Sequence, residues 1–73
     1  MYMHFVHNNI EIRTNIEYIY CTTDEMEGIG STSIDVNETL TIFVHTNAID
    51  YLCLFDDDGK RALLIKNGEV KYR

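Results

Sequence analysis

Proline and tryptophan are absent from this chain of 73 residues, and alanine occurs only twice. Isoleucine, asparagine and tyrosine are frequent instead. This composition is typical of an AT-rich coding sequence, such as that of a phage or a low-GC bacterium. Because 45% of the residues are apolar and 25% are charged, the overall composition is that of a globular protein, and we expect the chain to fold.

Long apolar runs and a basic leader are also lacking. The N-terminal residues Met1–His7 contain neither, which predicts that the chain has no signal peptide and no membrane span. Cysteine occurs only at Cys21 and Cys53, and without secretory signals we expect a reduced pair instead of a disulfide. These features favour a soluble, cytoplasmic protein.

Basic residues are scarce before Gly59. Eleven of the twelve acidic residues lie at or before Asp58, whereas five of the six basic residues lie at or after Lys60. The formal net charge is -6. Because phosphate contacts supply most of the affinity for nucleic acid and need clustered lysine and arginine, we do not expect direct nucleic-acid binding, least of all through residues 1–58.

Alternation of apolar and polar residues with a period of two dominates the chain. It is clearest from Ile10 to Tyr20, where the even positions read Ile, Ile, Thr, Ile, Tyr and Tyr, and it predicts half-buried strands. This run fits either one long, bent strand or two strands. The other strands predicted in the first two thirds are Tyr2–His7, Thr32–Val36 and Leu40–His45, with turns at His7–Asn9 and Asn37–Glu38.

Two turn signals organise the last third of the chain. Asn67-Gly68 predicts a hairpin in which Lys66 opposes Glu69, because a type I′ turn needs positive φ at both central residues. Asp58-Gly59 predicts a second hairpin. Its expected pairs are Asp57 with Lys60, Asp56 with Arg61, Phe55 with Ala62 and Leu54 with Leu63. The two registers together predict one apolar core face, formed by Leu52, Leu54, Leu63, Ile65, Val70 and Tyr72.

Residues 22–33 interrupt the alternation. Thr22 and Glu25 have the spacing of a capping box, so we expect at most one short helical turn near residues 23–28, at Asp24–Glu27. Gly28–Ser33 has the start of a phosphate-binding loop, but it lacks a third glycine and a nearby lysine. We interpret it as a flexible surface loop.

Metal-binding residue types are present, but their spacing is poor. Asp56–Asp58 followed by glycine could open a calcium loop, yet the twelfth position is Asn67 instead of glutamate. The zinc-type ligands are His4, His7, His45, Cys21 and Cys53, of which only His45 and Cys53 lie on strands that we expect to pair. Cys53 is flanked by leucines, and no nucleophile motif occurs. We therefore predict no metal, no cofactor and no enzymatic activity.

The pattern as a whole predicts an all-β fold in a single small domain covering residues 1–73. We expect an antiparallel meander of five to seven short strands. A chain of this length buries only about 60% of the surface that its unfolded form exposes. The sheet should therefore either close partly into a barrel or be completed by dimerisation.

The uncompensated acidic residues suggest a non-catalytic protein that docks on a basic protein surface. One form of this function is a phage-type inhibitor that occupies the groove of a nucleic-acid-binding protein. Carboxylates around such an interface raise the association rate more than the final affinity. The residues predicted to present this charge are Glu11, Glu17, Asp24, Glu25, Glu27, Asp35 and Glu38. An exposed Tyr18 or Tyr51 beside these acids would also suit protein recognition.

Two other functions stay open at this point. A homodimer or higher oligomer could bind an anionic small ligand through the basic C-terminal hairpin, because symmetry concentrates weak charges near an axis. The residues predicted for that site are Lys60, Arg61, Lys66, Lys71 and Arg73. Alternatively, the protein is an accessory subunit of a larger assembly and uses an exposed edge strand for β-augmentation.

Overall fold

Eight strands and a single 3-10 turn make up the computed structural model, which describes residues 1–24 and 29–72. The strands are β1 (Tyr2–His7), β2 (Ile10–Asn15), β3 (Tyr18–Asp24), β4 (Ile29–Asn37), β5 (Leu40–His45), β6 (Tyr51–Phe55), β7 (Arg61–Lys66) and β8 (Glu69–Tyr72). The 3-10 turn at Thr46–Ala48 joins β5 to β6. The all-β prediction is confirmed, but eight strands exceed the five to seven that we expected.

The strands form two antiparallel sheets and not one meander. The five-stranded sheet has the order β2-β1-β6-β7-β8, and the three-stranded sheet has the order β3-β4-β5. Buried side chains from both sheets form one core cluster, so the sheets pack face to face as a sandwich. The described strands do not close into a barrel, because each sheet has two edge strands.

The chain passes from one sheet to the other at Ile16 and Glu17. The backbone N–H of Ile16 donates to Met1 O at 2.8 Å, whereas that of Glu17 donates to Asp35 O, also at 2.8 Å. The run Ile10–Tyr20 is therefore two strands that belong to different sheets. This crossing also shifts the alternation by one, so that Tyr18 and Tyr20 face solvent while Ile19 and Cys21 face the core.

The core lies between the two sheets and is almost entirely aliphatic. Its buried members are Met3, Phe5, Ile16, Ile34, Ile49, Leu52, Leu54, Leu63 and Ile65. The cross-strand register places Phe5 beside Leu52 and Leu52 beside Ile65, so one row of apolar side chains crosses the centre of the five-stranded sheet. Ile34, on the central strand of the three-stranded sheet, covers the core from the other side.

The hairpin predicted at Asn67-Gly68 is confirmed. Both turn residues have positive φ, 54° and 78°, and Lys66 opposes Glu69 as predicted, so the register continues to the pair of Leu63 with Tyr72. The predicted core face is confirmed for its four leucine and isoleucine residues, and Val70 packs against the core. Tyr72 is 71% exposed, contrary to our prediction, because β8 is an edge strand of the wider sheet and the narrower sheet does not cover it.

The hairpin predicted at Asp58-Gly59 has a different register. Asp56 N–H donates to Lys60 O at 2.9 Å and Gly59 N–H donates to Asp56 O at 3.0 Å, so the loop has three residues instead of two. Leu54 opposes Leu63 as predicted, but Phe55 opposes Arg61 because Ala62 is an extra residue in β7. The predicted facing of Asp57 and Lys60 is wrong. Asp57 Oδ1 instead lies 3.5 Å from the Met1 amine.

Strand β4 is longer than the predicted strand Thr32–Val36 and includes most of the segment Gly28–Ser33, which we had interpreted as a loop. Residues 29–33 form the beginning of this strand, so they are not a flexible loop. Gly30 is buried, and a Cβ there would lie only 2.9 Å from Thr22 O and 3.1 Å from Thr46 Oγ1. The helical turn predicted at Asp24–Glu27 lies outside the described residues, except for Asp24, which ends β3.

Candidate functional site

The lysine and arginine residues of the described chain are confined to one of the two sheets, whereas carboxylates occur with both. The sequence from Thr14 to Gly59 contains no lysine or arginine, and this stretch includes the whole three-stranded sheet. The basic residues of the described chain belong to the five-stranded sheet or to its loop, and they are Arg13, Lys60, Arg61, Lys66 and Lys71. The five-stranded sheet and its loops thus carry charges of both signs, whereas the three-stranded sheet carries carboxylates without lysine or arginine.

The outer face of the three-stranded sheet presents exposed rings between hydroxyl groups. We name it the aromatic-hydroxyl face. Its cross-strand rows are Tyr18-Asp35-Thr41, Tyr20-Ser33-Phe43 and Thr22-Ser31-His45. The exposed fractions are 54% for Tyr18, 55% for Tyr20 and 68% for Phe43. Because Ser33 is small and lies between two rings, the central strand forms the floor of a shallow trough.

Hydrogen bonds across the strands fix several polar groups of this face. Thr22 Oγ1 and Ser31 Oγ lie 2.7 Å apart, and Thr41 Oγ1 donates to Asp35 Oδ1 at 2.8 Å. The Asp35 carboxylate is therefore held in place beside Tyr18, its partner in the register. A rigid carboxylate next to an exposed ring can accept hydrogen bonds from a cationic group that also stacks on the ring.

The structure brings only some of the predicted acidic residues together. Glu17 and Asp35 are neighbours through the backbone bond described above, and Glu38 lies in the β4–β5 turn at the same end of the sheet. Asp24 is at the opposite end of β3. Glu11 lies on the five-stranded sheet, where its Oε1 is 2.8 Å from Arg13 Nε and 3.0 Å from His4 Nε2. Glu25 and Glu27 lie outside the described residues.

The outer face of the five-stranded sheet combines rings with cations, and we name it the mixed face. Its rows are Asn15-Tyr2-Phe55-Arg61, Arg13-His4-Cys53-Leu64-Lys71 and Glu11-Val6-Tyr51-Lys66-Glu69. The rings of His4 and Tyr51 meet edge to face with centroids 5.2 Å apart, and those of Tyr2 and Phe55 are 6.4 Å apart. Unlike the rings of the aromatic-hydroxyl face, most of these rings are half-buried against one another.

Three residues of the predicted anion site share this mixed face. Lys66 is the register partner of Tyr51, whereas Arg61 opposes Phe55. Burial and the neighbouring Cys53 raise the pKa of the Tyr51 hydroxyl, and the charge of Arg61 partly opposes that rise. Lys71 Nζ lies 4.0 Å from Glu69 Oε2, which partly neutralises it. Lys60 is in the β6–β7 loop, and Arg73 lies outside the described residues.

Neither cysteine is placed for nucleophilic chemistry. Cys53 opposes His4, which itself contacts Glu11, but its side chain is only 3% exposed and a substrate has no access to the sulfur. Burial raises the pKa of the Cys21 thiol, an effect that a hydrogen bond from Thr32 partly offsets. Buried thiols with a raised pKa are poor nucleophiles at neutral pH.

The structure does not place His45 and Cys53, the two residues considered for a zinc site, on paired strands. His45 and Cys53 were expected on paired strands, but β5 and β6 belong to different sheets because the 3-10 turn between them redirects the chain. Within residues 1–24 and 29–72, no three histidine, cysteine or carboxylate side chains group as they would around a metal ion. The same residues contain no helix with the length and apolarity that crossing a membrane requires.

Sequence patterns missed most of the aromatic-hydroxyl face. The alternation at even positions continues from Ile10 through Tyr18 and Tyr20 without a turn residue at Glu17, so this pattern alone does not indicate the crossing to the second sheet. One usable signal was present. Ile19 and Cys21 are the apolar residues that a core would select over tyrosine, so the shift of the alternation can be recognised from their positions.

Comparison of the chain with protein-family models, with curated proteins and with solved structures found no match, so the functional inference rests on the geometry of these two faces.

Proposed function

We propose that this protein is a non-catalytic binding protein that docks through its aromatic-hydroxyl face on a basic surface of another protein. One observation carries the proposal. Three aromatic side chains, each more than half exposed, lie on a sheet that has no lysine or arginine and has carboxylates at one end. Exposed aromatic side chains gathered on one face are typical of a surface that binds another molecule.

The chemistry of the face suits recognition of protein. Tyrosine supplies a large, rigid and amphipathic contact area at a small entropy cost, and serine and threonine supply adaptable hydrogen bonds. Tyr18, Tyr20 and Phe43 provide the rings, while Ser31 and Ser33 form the floor between them. The same combination is found in protein-binding surfaces, where a few aromatic side chains contribute most of the binding energy.

The acidic end of the face selects the charge of the partner. Glu17, Asp35 and Glu38 lie at one end of the trough, and this sheet has no cation to compensate them. These carboxylates would attract a lysine- and arginine-rich surface and accelerate association. A phage-type inhibitor that covers the nucleic-acid-binding surface of its target is one function that would use this arrangement.

The proposal is tested by affinity capture from cells of the native host with three immobilised proteins. They are the unaltered chain, a Tyr20→Ser/Phe43→Ser variant and a Tyr2→Ser/Tyr72→Ser control, which removes two exposed rings from the other sheet. We expect the unaltered chain and the control to retain the same basic protein. The Tyr20→Ser/Phe43→Ser variant should retain at least about tenfold less of it, the loss that corresponds to about 1.4 kcal/mol.

Salt provides the second readout of the same experiment. Retention of the captured protein should fall when ionic strength rises from about 20 mM to about 150 mM, because exposed charges are screened over a shorter distance. Retention that is equal for all three proteins, or that depends on the control rings, would contradict the proposed face. Retention that is insensitive to salt would contradict the electrostatic part of the proposal.

A second candidate function is favoured by the cations of the mixed face. Lys66 is the register partner of Tyr51 and Arg61 opposes Phe55 on the same face, so the phosphates of a nucleotide could pair with these cations while its base stacks on a ring of the face. A thermal-shift screen with nucleotides and inorganic phosphate tests it. A rise in melting temperature that Lys66→Gln removes would support this function, and an unchanged melting temperature would exclude it.

A further inference from the structure

We infer that strand β5 is a docking edge for a second copy of this chain, which pairs with it antiparallel about a two-fold axis. The strand Leu40–His45 lies at an edge of the three-stranded sheet and pairs only with β4 among the described strands. Its open side presents backbone N–H and C=O groups that can accept another strand. A two-fold axis makes the same strand serve both copies.

The sequence of β5 distinguishes it from the edges of the other sheet. Proteins protect edge strands with charged side chains or proline, because an unprotected edge pairs with other chains. The edges of the five-stranded sheet follow this rule, since β2 carries Glu11 and Arg13 and β8 carries Glu69 and Lys71. Strand β5, with the sequence LTIFVH, carries neither a carboxylate nor a lysine, arginine or proline.

The other edge of this sheet, β3, is less suited to self-pairing. Acidic residues lie at both of its ends, with Glu17 immediately before it and Asp24 as its last residue. Antiparallel pairing of two β3 strands would bring the first end of one copy beside the last end of the other. Acidic residues of the two copies would then gather at each end of the pair, and repulsion between like charges opposes this pairing. No acidic residue lies within or immediately beside β5.

The residue order in β5 is self-complementary about Phe43. Ile42 and Val44 flank this ring on the core side of the strand, and Thr41 and His45 are the next polar positions on its outer side. With the axis at Phe43, Ile42 opposes Val44 of the partner subunit and Thr41 opposes His45 of the partner subunit. Aliphatic, polar and aromatic side chains each meet a compatible partner, and the two Phe43 rings, the most exposed of the sheet, lie next to each other on the outer face.

Pairing through β5 turns two three-stranded sheets into one six-stranded sheet. It also joins two aromatic-hydroxyl faces, although the dimer itself does not depend on the proposed binding function.

The test measures the mass of the purified chain in solution over a range of concentrations by analytical ultracentrifugation. We expect a monomer–dimer equilibrium. Phe43→Lys places two like charges opposite each other at the axis and should raise the dissociation constant at least about tenfold. Tyr20→Lys is the matched control, because Tyr20 occupies the same cross-strand row on the other edge strand and has a similar exposure. It should leave the equilibrium unchanged.

Cross-linking supplies an independent readout. Oxidation of a Phe43→Cys variant should give a disulfide-linked dimer, whereas the unaltered chain and a Tyr20→Cys variant should not. A monomer at every concentration would overturn the inference, as would a dimer that Tyr20→Lys disrupts and Phe43→Lys does not. Failure of the binding function has a different signature, because Tyr20→Ser/Phe43→Ser would then capture the same proteins as the unaltered chain.

Discussion

Single residues in this protein show that burial decides which chemistry is accessible. Cys53 has a histidine beside it and a carboxylate behind that histidine, but its neighbours on the outer face cover the sulfur. Thr32 and Thr46 place their hydroxyl oxygens 2.7 Å apart in the core, and Thr32 also donates to Cys21. A buried hydroxyl needs such partners, because an unpaired one would cost about 1–3 kcal/mol.

The thiol of Cys21 predicts how stability depends on pH. Burial raises its pKa above the ordinary value of 9.0, so the folded chain holds this proton more tightly than the unfolded chain. The stabilisation is fully present below pH 9.0 and is lost as the pH rises through the folded pKa. Urea unfolding should therefore give a lower free energy of unfolding at about pH 10 than at about pH 8. A Cys21→Ala variant should show a smaller decrease, and an equal decrease would contradict this assignment.

A second prediction at this scale concerns Gly30. A Cβ at this position would approach Thr22 O to 2.9 Å, a backbone atom that cannot move without disturbing the pairing of β3 and β4. Gly30→Ala should lower the free energy of unfolding by about 1 to 3 kcal/mol. Chemical unfolding monitored by far-UV circular dichroism measures this change. A variant as stable as the unaltered chain would show that the two strands can separate locally at no cost.

At the scale of elements, the two hairpins show what turn chemistry determines. Asn67-Gly68 adopts positive φ at both positions, and this local requirement alone fixes the register of β7 with β8. At Gly59 only one residue of the loop has positive φ, 79°, which fits a type I turn followed by a glycine. The loop therefore has one residue more than predicted, which shifts the register by one at Phe55 and Arg61. The unpaired residue Ala62 in β7 reverses this shift, so that Leu54 still opposes Leu63.

The carboxylate of Asp56 is predicted to hold the second hairpin together. Its Oδ1 accepts the backbone N–H of Asp58 at 3.0 Å and that of Lys60 at 2.9 Å. Asp56→Ala should therefore lower the free energy of unfolding by about 1 to 2 kcal/mol. Asp58→Ala is the control, because Asp58 contributes only its backbone N–H to these two bonds, and it should change the stability little. Equal effects in both variants would show that the loop responds to net charge instead.

Local signals predicted the individual strands but not their assignment to sheets. The bounds of β1 and β5, and the registers near Asn67-Gly68, follow from alternation and turn residues. The crossing at Ile16 and Glu17 is set by which sheet each side chain joins, and that depends on contacts distant in sequence. The aromatic-hydroxyl face could not be predicted for the same reason, because its rows combine strands whose order only the folded chain reveals.

At the scale of the whole molecule, the two sheets of the sandwich have outer faces of different composition. The three-stranded sheet presents exposed rings and carboxylates, and the five-stranded sheet presents half-buried rings and the cations of the described chain. The formal net charge of the chain is -6. The segregation implies that acidic and basic ligands should bind to opposite sides.

The most direct test of the central claim is a two-dimensional NMR titration of the 15N-labelled chain with an oligoarginine peptide at low salt. We expect the largest chemical-shift changes at backbone amides of the aromatic-hydroxyl face, including Tyr18, Tyr20, Ser33 and Phe43. They should decrease at about 150 mM salt because exposed charges are then screened. Shift changes confined to the mixed face, or the absence of any change at Tyr20 and Phe43, would contradict the account.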